Sequence, residues 1–389
     1  MRFKSVATLL VMPAQPGMTS KRLRHAAIAA LLLVLVGASA SASTSVAETA
    51  SLHLNQVQVL GSHNSYRPYP SPQTQARILA NDPQDWPALA YGNPPLESQL
   101  ALGLHQLEID VSADPNGGLY ADPYKHNQAP QALLTQMLLP GAKVLHIPGL
   151  DVDSHCRTFP ECLAIFARWS DHHPGHDPIM ILVNSVDQSA VKGLWPHHSA
   201  FDRASLDALD ADIAHIIGRA RVITPDEVRG DHATLREAVL AGAWPTLAKA
   251  RGRFLFVLDG SPEHERIYRQ DHPALKERMM FGWYDEQTPE AAVFSIPNAL
   301  EEQARIQRLV GMGFIVRTRA DEDGVEARAH DDRRLRAAIA SGAQWISTDY
   351  YPGVPDPQGL GYTVDLDGST SRCDQVAGHC PPSTPPSSR

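Results

Sequence analysis

Glu108 and Asp110 stand two residues apart in the run Leu107-Glu108-Ile109-Asp110. On a strand, that spacing turns both carboxylates to one face. Leu107, Ile109 and Val111 alternate with them and suit an outer face covered by helices. Two neighbouring carboxylates in an apolar pocket repel each other unless a cation or a proton lies between them. A solvated edge strand would carry the same pair harmlessly, so both readings stand on these residues alone. Two histidines also end strand-like runs: His63 in Gly61-Ser62-His63-Asn64-Ser65-Tyr66, and His146 in Val144-Leu145-His146-Ile147-Pro148. A histidine so placed can act as acid, base or anion donor, or can be purely structural. Asn64 adds a neutral oxygen of the kind a hard cation accepts. Arg317 and Arg319 alternate on another run, where they either take a phosphate together or line the interior as ion pairs. Asp349 ends the last such run and can hold a histidine, bind a substrate hydroxyl or cap a turn. Dication, phosphate and acid–base groups together are the components of phosphoryl transfer.

These residues need a scaffold that gathers strand ends. Strand-like runs recur at Val57–Leu60, His105–Val111, Lys143–Ile147, Ile179–Asn184, Arg253–Leu258, somewhere within Arg278–Ser295, at Phe314–Arg317 and at Trp345–Ser347. Helical runs separate them at Leu96–Leu102, Ala164–His172, Ser205–Ile217, Leu235–Ala241, Leu300–Leu309 and Asp332–Ala340. Strands alternating with amphipathic helices form parallel sheets. About eight such units in one domain predict an α/β fold of the (β/α)8 TIM-barrel type, whose active site lies at the C-terminal strand ends. A doubly wound open sheet is the alternative, but no glycine-rich dinucleotide fingerprint follows the first strand.

The segments Ser62-His63-Asn64-Ser65-Tyr66, Leu107-Glu108-Ile109-Asp110 and Val144-Leu145-His146 resemble, in order and spacing, the calcium-dependent phosphatidylinositol-specific phospholipase C family. The similarity is to its bacterial and fungal branch. Val316-Arg317-Thr318-Arg319-Ala320-Asp321 and Gly342-Ala343-Gln344-Trp345-Ile346-Ser347-Thr348-Asp349-Tyr350 extend it, so it runs from Asn55 to Pro352. Glycerophosphodiester phosphodiesterases share such a barrel but usually carry His-Arg-Gly after the first strand, where this chain has His63-Asn64-Ser65. The resemblance implies a phosphodiesterase in which the inositol 2-hydroxyl attacks phosphorus and diacylglycerol leaves. It implies that His63 and His146 flank the scissile phosphate, His63 stabilising the phosphorane charge and His146 protonating the leaving oxygen. It implies that Asn64, Glu108 and Asp110 hold calcium, with magnesium the alternative, so that Glu108 serves both metal and catalysis. Asn184 falls where animal members have a further calcium-binding glutamate, which costs the site one negative charge; Asp187 is the expected compensation. Arg317, Arg319 and Asp349 are the expected substrate contacts. Trp283, Tyr284, Tyr350 and Tyr351 form either an aromatic rim or ordinary packing.

The expected partner is therefore a phospholipid or inositol phosphodiester, met in transient contact with a membrane surface and without a protein partner. A soluble phosphodiesterase on the same barrel and a non-catalytic exported binding protein are the alternatives. Retention of both histidines counts against the second. A net charge of −9 argues against a nucleic-acid binder held by broad basic patches. Lys21, Arg22, Arg24 and His25 precede the apolar run Ala26–Val36, and small residues follow up to Ala47. This reads as an export signal over residues 1–47, with an uncleaved anchor as the alternative, and the protein is expected to be secreted or periplasmic. Met18-Thr19-Ser20-Lys21-Arg22 opens as a signal peptide of ordinary length would, which points to Met18 as the start of translation. The barrel domain is assigned to residues 48–365. Residues 366–389 are read as a disulfide loop and a Pro/Ser tail. The four cysteines fall in two close pairs, Cys156 with Cys162 and Cys373 with Cys380. Disulfides fit an oxidising compartment; zinc ligation is the competing reading, although neither pair has the spacing of a zinc knuckle.

Overall fold

The computed structural model describes residues 51–122, 125, 131–190, 195–378 and 380. The leader at residues 1–47, Met18 within it, and the tail from Pro381 lie outside the described residues. Eight parallel strands make the barrel: β1 (Val57–Ser62), β2 (Gln106–Val111), β3 (Ile179–Ser185), β4 (Phe254–Asp259), β5 (Met280–Gly282), β6 (Val293–Ser295), β7 (Ile315–Arg319) and β8 (Trp345–Thr348). Their order around the sheet is β5-β4-β3-β2-β1-β8-β7-β6. The ring is nearly closed: β5 and β6 meet through one parallel bridge, Trp283 to Val293. A short ninth strand, β9 (Ser371–Cys373), runs antiparallel to β1 and pairs Val57 with Cys373.

Register explains which side chains reach the interior. β2 and β3 pair Glu108 with Leu182 and Asp110 with Asn184. β3 and β4 pair Leu182 with Val257 and Asn184 with Asp259. Residues paired across parallel strands project to the same face, so these form inward rows. The alternate set, including Leu107, Ile109, Ile181 and Val183, is buried beneath the helices. Each of these aliphatic side chains contributes about 1.5–3 kcal/mol by leaving water. Gly61 sits where β1 and β2 approach closely: a Cβ there would lie 2.0 Å from Gln106 Oε1. The Phe159–His172 helix starts where Thr158 accepts from the Glu161 N–H, with proline in the first turn.

Two expectations are corrected by this topology. Lys143–Ile147 is not a barrel strand, because β2 pairs directly with β3 and leaves no place between them. The segment instead crosses the strand ends, with Lys143 bridging Ser112 and Thr158 and Ile147 bridging Asp151. The missing strand is found within Arg278–Ser295, which holds both β5 and β6. Both cysteine pairs are disulfides, which removes the zinc reading. Cys156–Cys162 fastens the loop after His146 to the start of the Phe159–His172 helix. Among the described residues, no helix is long and apolar enough to cross a membrane.

Candidate active site

β1 delivers His63 and Asn64 at its C-terminal end. Asn64 adopts φ 44°, a left-handed conformation that asparagine tolerates better than most residues. The Asn93 side-chain amide donates to the carbonyls of both His63 and Asn64 at 3.0 Å, fixing this bend. His63 Nδ1 lies 3.1 Å from Asp349 Oδ1, and its ring stacks on Tyr91 with centroids 5.5 Å apart. Burial, followed by the positive charge of Arg319, holds the His63 pKa well below the usual histidine value. Asp349, nearer to Nδ1 than Arg319 Nη2 at 3.4 Å, favours the tautomer with the proton on Nδ1 and Nε2 as acceptor.

His146 is built differently. It lies on the crossing segment, with Nδ1 3.0 Å from Asp151 Oδ2. The same oxygen accepts from Arg67 Nε at 2.6 Å. Burial pushes the Asp151 pKa up, but Arg67 and the hydrogen bond from His146 outweigh it and hold the carboxyl below its usual value. Arg67 is fully buried; its remaining N–H groups donate to the carbonyls of Tyr91 and Leu89. Two histidines thus enter the mouth of the barrel, each backed by a buried aspartate.

Between them lies an oxygen-rich floor. Glu108 reaches across the barrel to Arg317 Nη2 at 2.9 Å, while Arg317 Nε donates to Ser347 at 3.0 Å. Asp110 accepts from Tyr66 at 2.9 Å and from the Asn184 amide at 3.0 Å. Its pKa is pushed up to about 8, first by burial and then by Glu108. The outer atom of the Asn64 amide lies 3.1 and 3.2 Å from the two Asp110 oxygens, and the other amide atom meets the Tyr91 hydroxyl at 2.7 Å. With its nitrogen inward, the Asn64 amide donates to Asp110 while its oxygen accepts from the Tyr91 hydroxyl. Among the described residues, no three His, Cys, Asp or Glu side chains converge as a metal-binding group, because Glu108 leans towards Arg317.

Arg319 lies 3.5 Å from Asp349 Oδ2, so both strand arginines stand in ion pairs within the barrel. Asp349 has its pKa raised to about 6, chiefly by burial, and its N–H donates to Asp321 at 3.0 Å. Asp187 does not compensate for Asn184: it lies beyond the strand, pairs with His264 at 2.9 Å and accepts the Phe201 N–H. Tyr284, Tyr350 and Tyr351 are buried packing rather than a rim. A cavity of about 660 Å³ beside Asp114, His197 and His198 contains neither His63 nor His146.

Sequence reasoning missed Arg67, Tyr66, Tyr91 and Asp259. Asp259 was legible, since it ends the apolar run Phe254-Leu255-Phe256-Val257-Leu258 just as Asp110 ends its own. Tyr66 stood in the quoted segment after β1 without a role, and Arg67 and Tyr91 gave no signal, because loop residues acquire meaning only from what they meet in space.

The chain matches the family described as calcium-dependent phosphoinositide phospholipase C over residues 52–374. It belongs to that family, a group of phosphodiesterases of the phospholipase C class. Its fold is similar to the calcium-dependent phosphoinositol-specific phospholipase C of a Pseudomonas species, with TM-score 0.52, 15% identity, and 84% of this chain and 96% of that one covered. The same values hold for that protein's myo-inositol complex. The calcium-dependent phosphatidylinositol-specific enzyme of Streptomyces antibioticus aligns with TM-score 0.50 and 20% identity, covering 77% of this chain and 96% of that one. No curated protein matches by sequence.

Proposed function

We propose that this enzyme cleaves phosphatidylinositol-type phosphodiesters at the lipid–phosphate bond, by attack of the inositol 2-hydroxyl on phosphorus. The observation that carries this reading is the pair of aspartate-backed histidines on either side of Asn64, Glu108 and Asp110. Neutral His63 accepts the hydroxyl proton on Nε2 as the new P–O bond forms. This makes it a base rather than the phosphorane-stabilising donor that the family resemblance implied. His146 donates a proton to the diacylglycerol oxygen as the old P–O bond breaks, and the cyclic inositol phosphate remains. Arg319, and Arg317 from the far wall, favour the phosphate charge. Family membership implies calcium, and the donor set fits it: Asn64, Glu108, Asp110 and Asn184 offer only side-chain amide and carboxylate groups. When bound there, calcium would screen the phosphate and acidify the attacking hydroxyl.

Export to a secreted or periplasmic location is part of the proposal, supported by the two disulfides and the leader composition. Leu138 and Leu139, exposed on the segment after β2, support transient contact with a membrane surface. Incubation with phosphatidylinositol, lysophosphatidylinositol and glycerophosphoinositol, with calcium or with chelator, tests the reading. Calcium-dependent release of diacylglycerol and cyclic phosphate is expected from phosphatidylinositol. Exclusive cleavage of the glycerol compound would move the substrate to soluble phosphodiesters, and no cleavage of any would overturn the proposal.

The raised Asp110 pKa gives a second expectation. Between about pH 4 and 8, the folded protein in chelator keeps a proton that the unfolded chain has released. Stability from this group is therefore complete below the unfolded carboxyl value and lost as pH rises to about 8. In chelator, melting temperature should fall over that range more steeply in wild type than in Asp110→Asn. Parallel profiles would mean that Asp110 is not so strained.

A further inference from the structure

We infer that Arg67 is a positioning residue shared by both halves of the reaction: one buried guanidinium holds the partner of the acid His146 and the loop that seats the base His63. The inference rests on the roles proposed above and goes beyond them in naming what fixes the two histidines relative to each other. Arg67 is fully buried and closes the bend after β1, its N–H donating to the Asn64 carbonyl at 2.9 Å. Its guanidinium is divided between two loops. Nε donates to Asp151 Oδ2 at 2.6 Å, and the same oxygen lies 3.0 Å from His146 Nδ1. Nη1 donates to the Tyr91 carbonyl, and Nη2 to the Leu89 carbonyl at 2.8 Å. The guanidinium carbon stands 4.4 Å from the centre of the Tyr91 ring, and that ring stacks on His63. The Tyr91 hydroxyl donates to the Asn64 amide oxygen at 2.7 Å, beside His63 in the chain.

In-line displacement sets the attacking and leaving oxygens on opposite sides of phosphorus, so the spacing of base and acid matters as much as the direction of either. A planar fork that reaches three acceptors at once joins the two loops into one frame. A lysine keeps the charge but carries it as a single point on a flexible stem, so it cannot hold Asp151 and both carbonyls in that geometry. Displacing a catalytic group by about 1 Å can cost about 10² in rate. A change at Arg67 is therefore felt at both histidines, whereas the loss of His146 is felt at one.

Turnover with two leaving groups tests this, using phosphatidylinositol and a nitrophenyl inositol phosphodiester. Circular dichroism and melting curves check that each variant is folded at the assay temperature. With both esters the 2-hydroxyl proton passes to the base, but nitrophenolate leaves without taking a proton. The nitrophenyl rate therefore reads the base, and the extra loss on the lipid reads the acid. His146→Ala should be impaired on the lipid and nearly normal on the nitrophenyl ester. Arg67→Lys should lose about 10² in kcat on the lipid and about tenfold on the nitrophenyl ester, with little change in KM. A nearly normal nitrophenyl rate in Arg67→Lys would overturn the inference, because Arg67 would then serve the acid alone. Equal losses on both esters would overturn it by leaving only the base. Normal kcat on both would mean that Arg67 stabilises the fold and positions neither histidine. Tyr91→Leu leaves the Arg67–Asp151 pair in place and decides the matter if Arg67→Lys does not fold. It should lower the nitrophenyl rate and lower the lipid rate further, and any other pattern overturns the inference. A wild type inert on both esters, or His146→Ala equally impaired on both, would sink the proposed chemistry and this inference with it.

Discussion

Replacing His146 by alanine should lower turnover of phosphatidylinositol by about 10²–10⁴ while leaving the fold and calcium affinity almost unchanged. The rate falls because the leaving alkoxide loses its proton donor. The fold survives for a reason visible in the structure: Asp151, the partner of His146, keeps its 2.6 Å hydrogen bond from Arg67. The His146 side chain is also partly exposed, at 20%, so its removal leaves no sealed cavity. Asp151→Asn should behave in the opposite way. It strips the fully buried Arg67 of its carboxylate, and leaving one member of a buried pair uncompensated costs about 3–5 kcal/mol. Turnover measured beside melting temperature separates the two variants. Near-normal turnover in His146→Ala would remove this histidine from the chemistry.

Glu108→Gln should weaken calcium binding at least about tenfold and cut turnover by roughly a hundredfold, and should also lower stability in chelator because it leaves buried Arg317 without its carboxylate. Two effects on stability oppose each other, and the loss of the buried ion pair is the larger. The substitution takes the negative charge from the buried Arg317, although the amide oxygen can still accept its hydrogen bond. It also relieves the repulsion that helps to raise the Asp110 pKa. The cation has no such compensation, since it loses a charge outright. Calcium titration and turnover on one preparation decide the matter. Full activity with unchanged affinity would mean that Glu108 serves only to neutralise Arg317.

The parts of this molecule that follow a period were legible in the sequence. Alternation in Leu107-Glu108-Ile109-Asp110 gave the face of β2, and Glu108 and Asp110 do point inward. The helices from Leu96, Ala164, Ser205, Leu235, Leu300 and Asp332 all have counterparts in the fold. Lys143–Ile147 misled because Val144 and Leu145 are buried, as they would be in a strand, yet in a segment that crosses the strand ends. Burial selects apolar residues whatever the backbone does, so a short apolar run does not identify its own element. The brief strands β5 and β6, three residues each, are too short for any period to show. Asp349 was legible as a partner for a histidine because it ends a strand; that Arg67 holds Asp151 beneath His146 was not, because both lie in loops with no period to give their direction.

The pairing of β1 has a consequence for the order of events during synthesis. Its neighbours are β2, β8 and β9, and the last two come from the far end of the chain, Val59 meeting Trp345 and Ser371. Contacts so distant in sequence form late, since the loop between them must first be closed. The strand that carries His63 and Asn64 therefore lacks two of its three partners until nearly the whole chain has left the ribosome. A nascent chain can bury much of β2, β3 and β4 while remaining without activity. Catalysis then begins when the last strands dock, so the lipid-cleaving site is assembled only on a completed polypeptide.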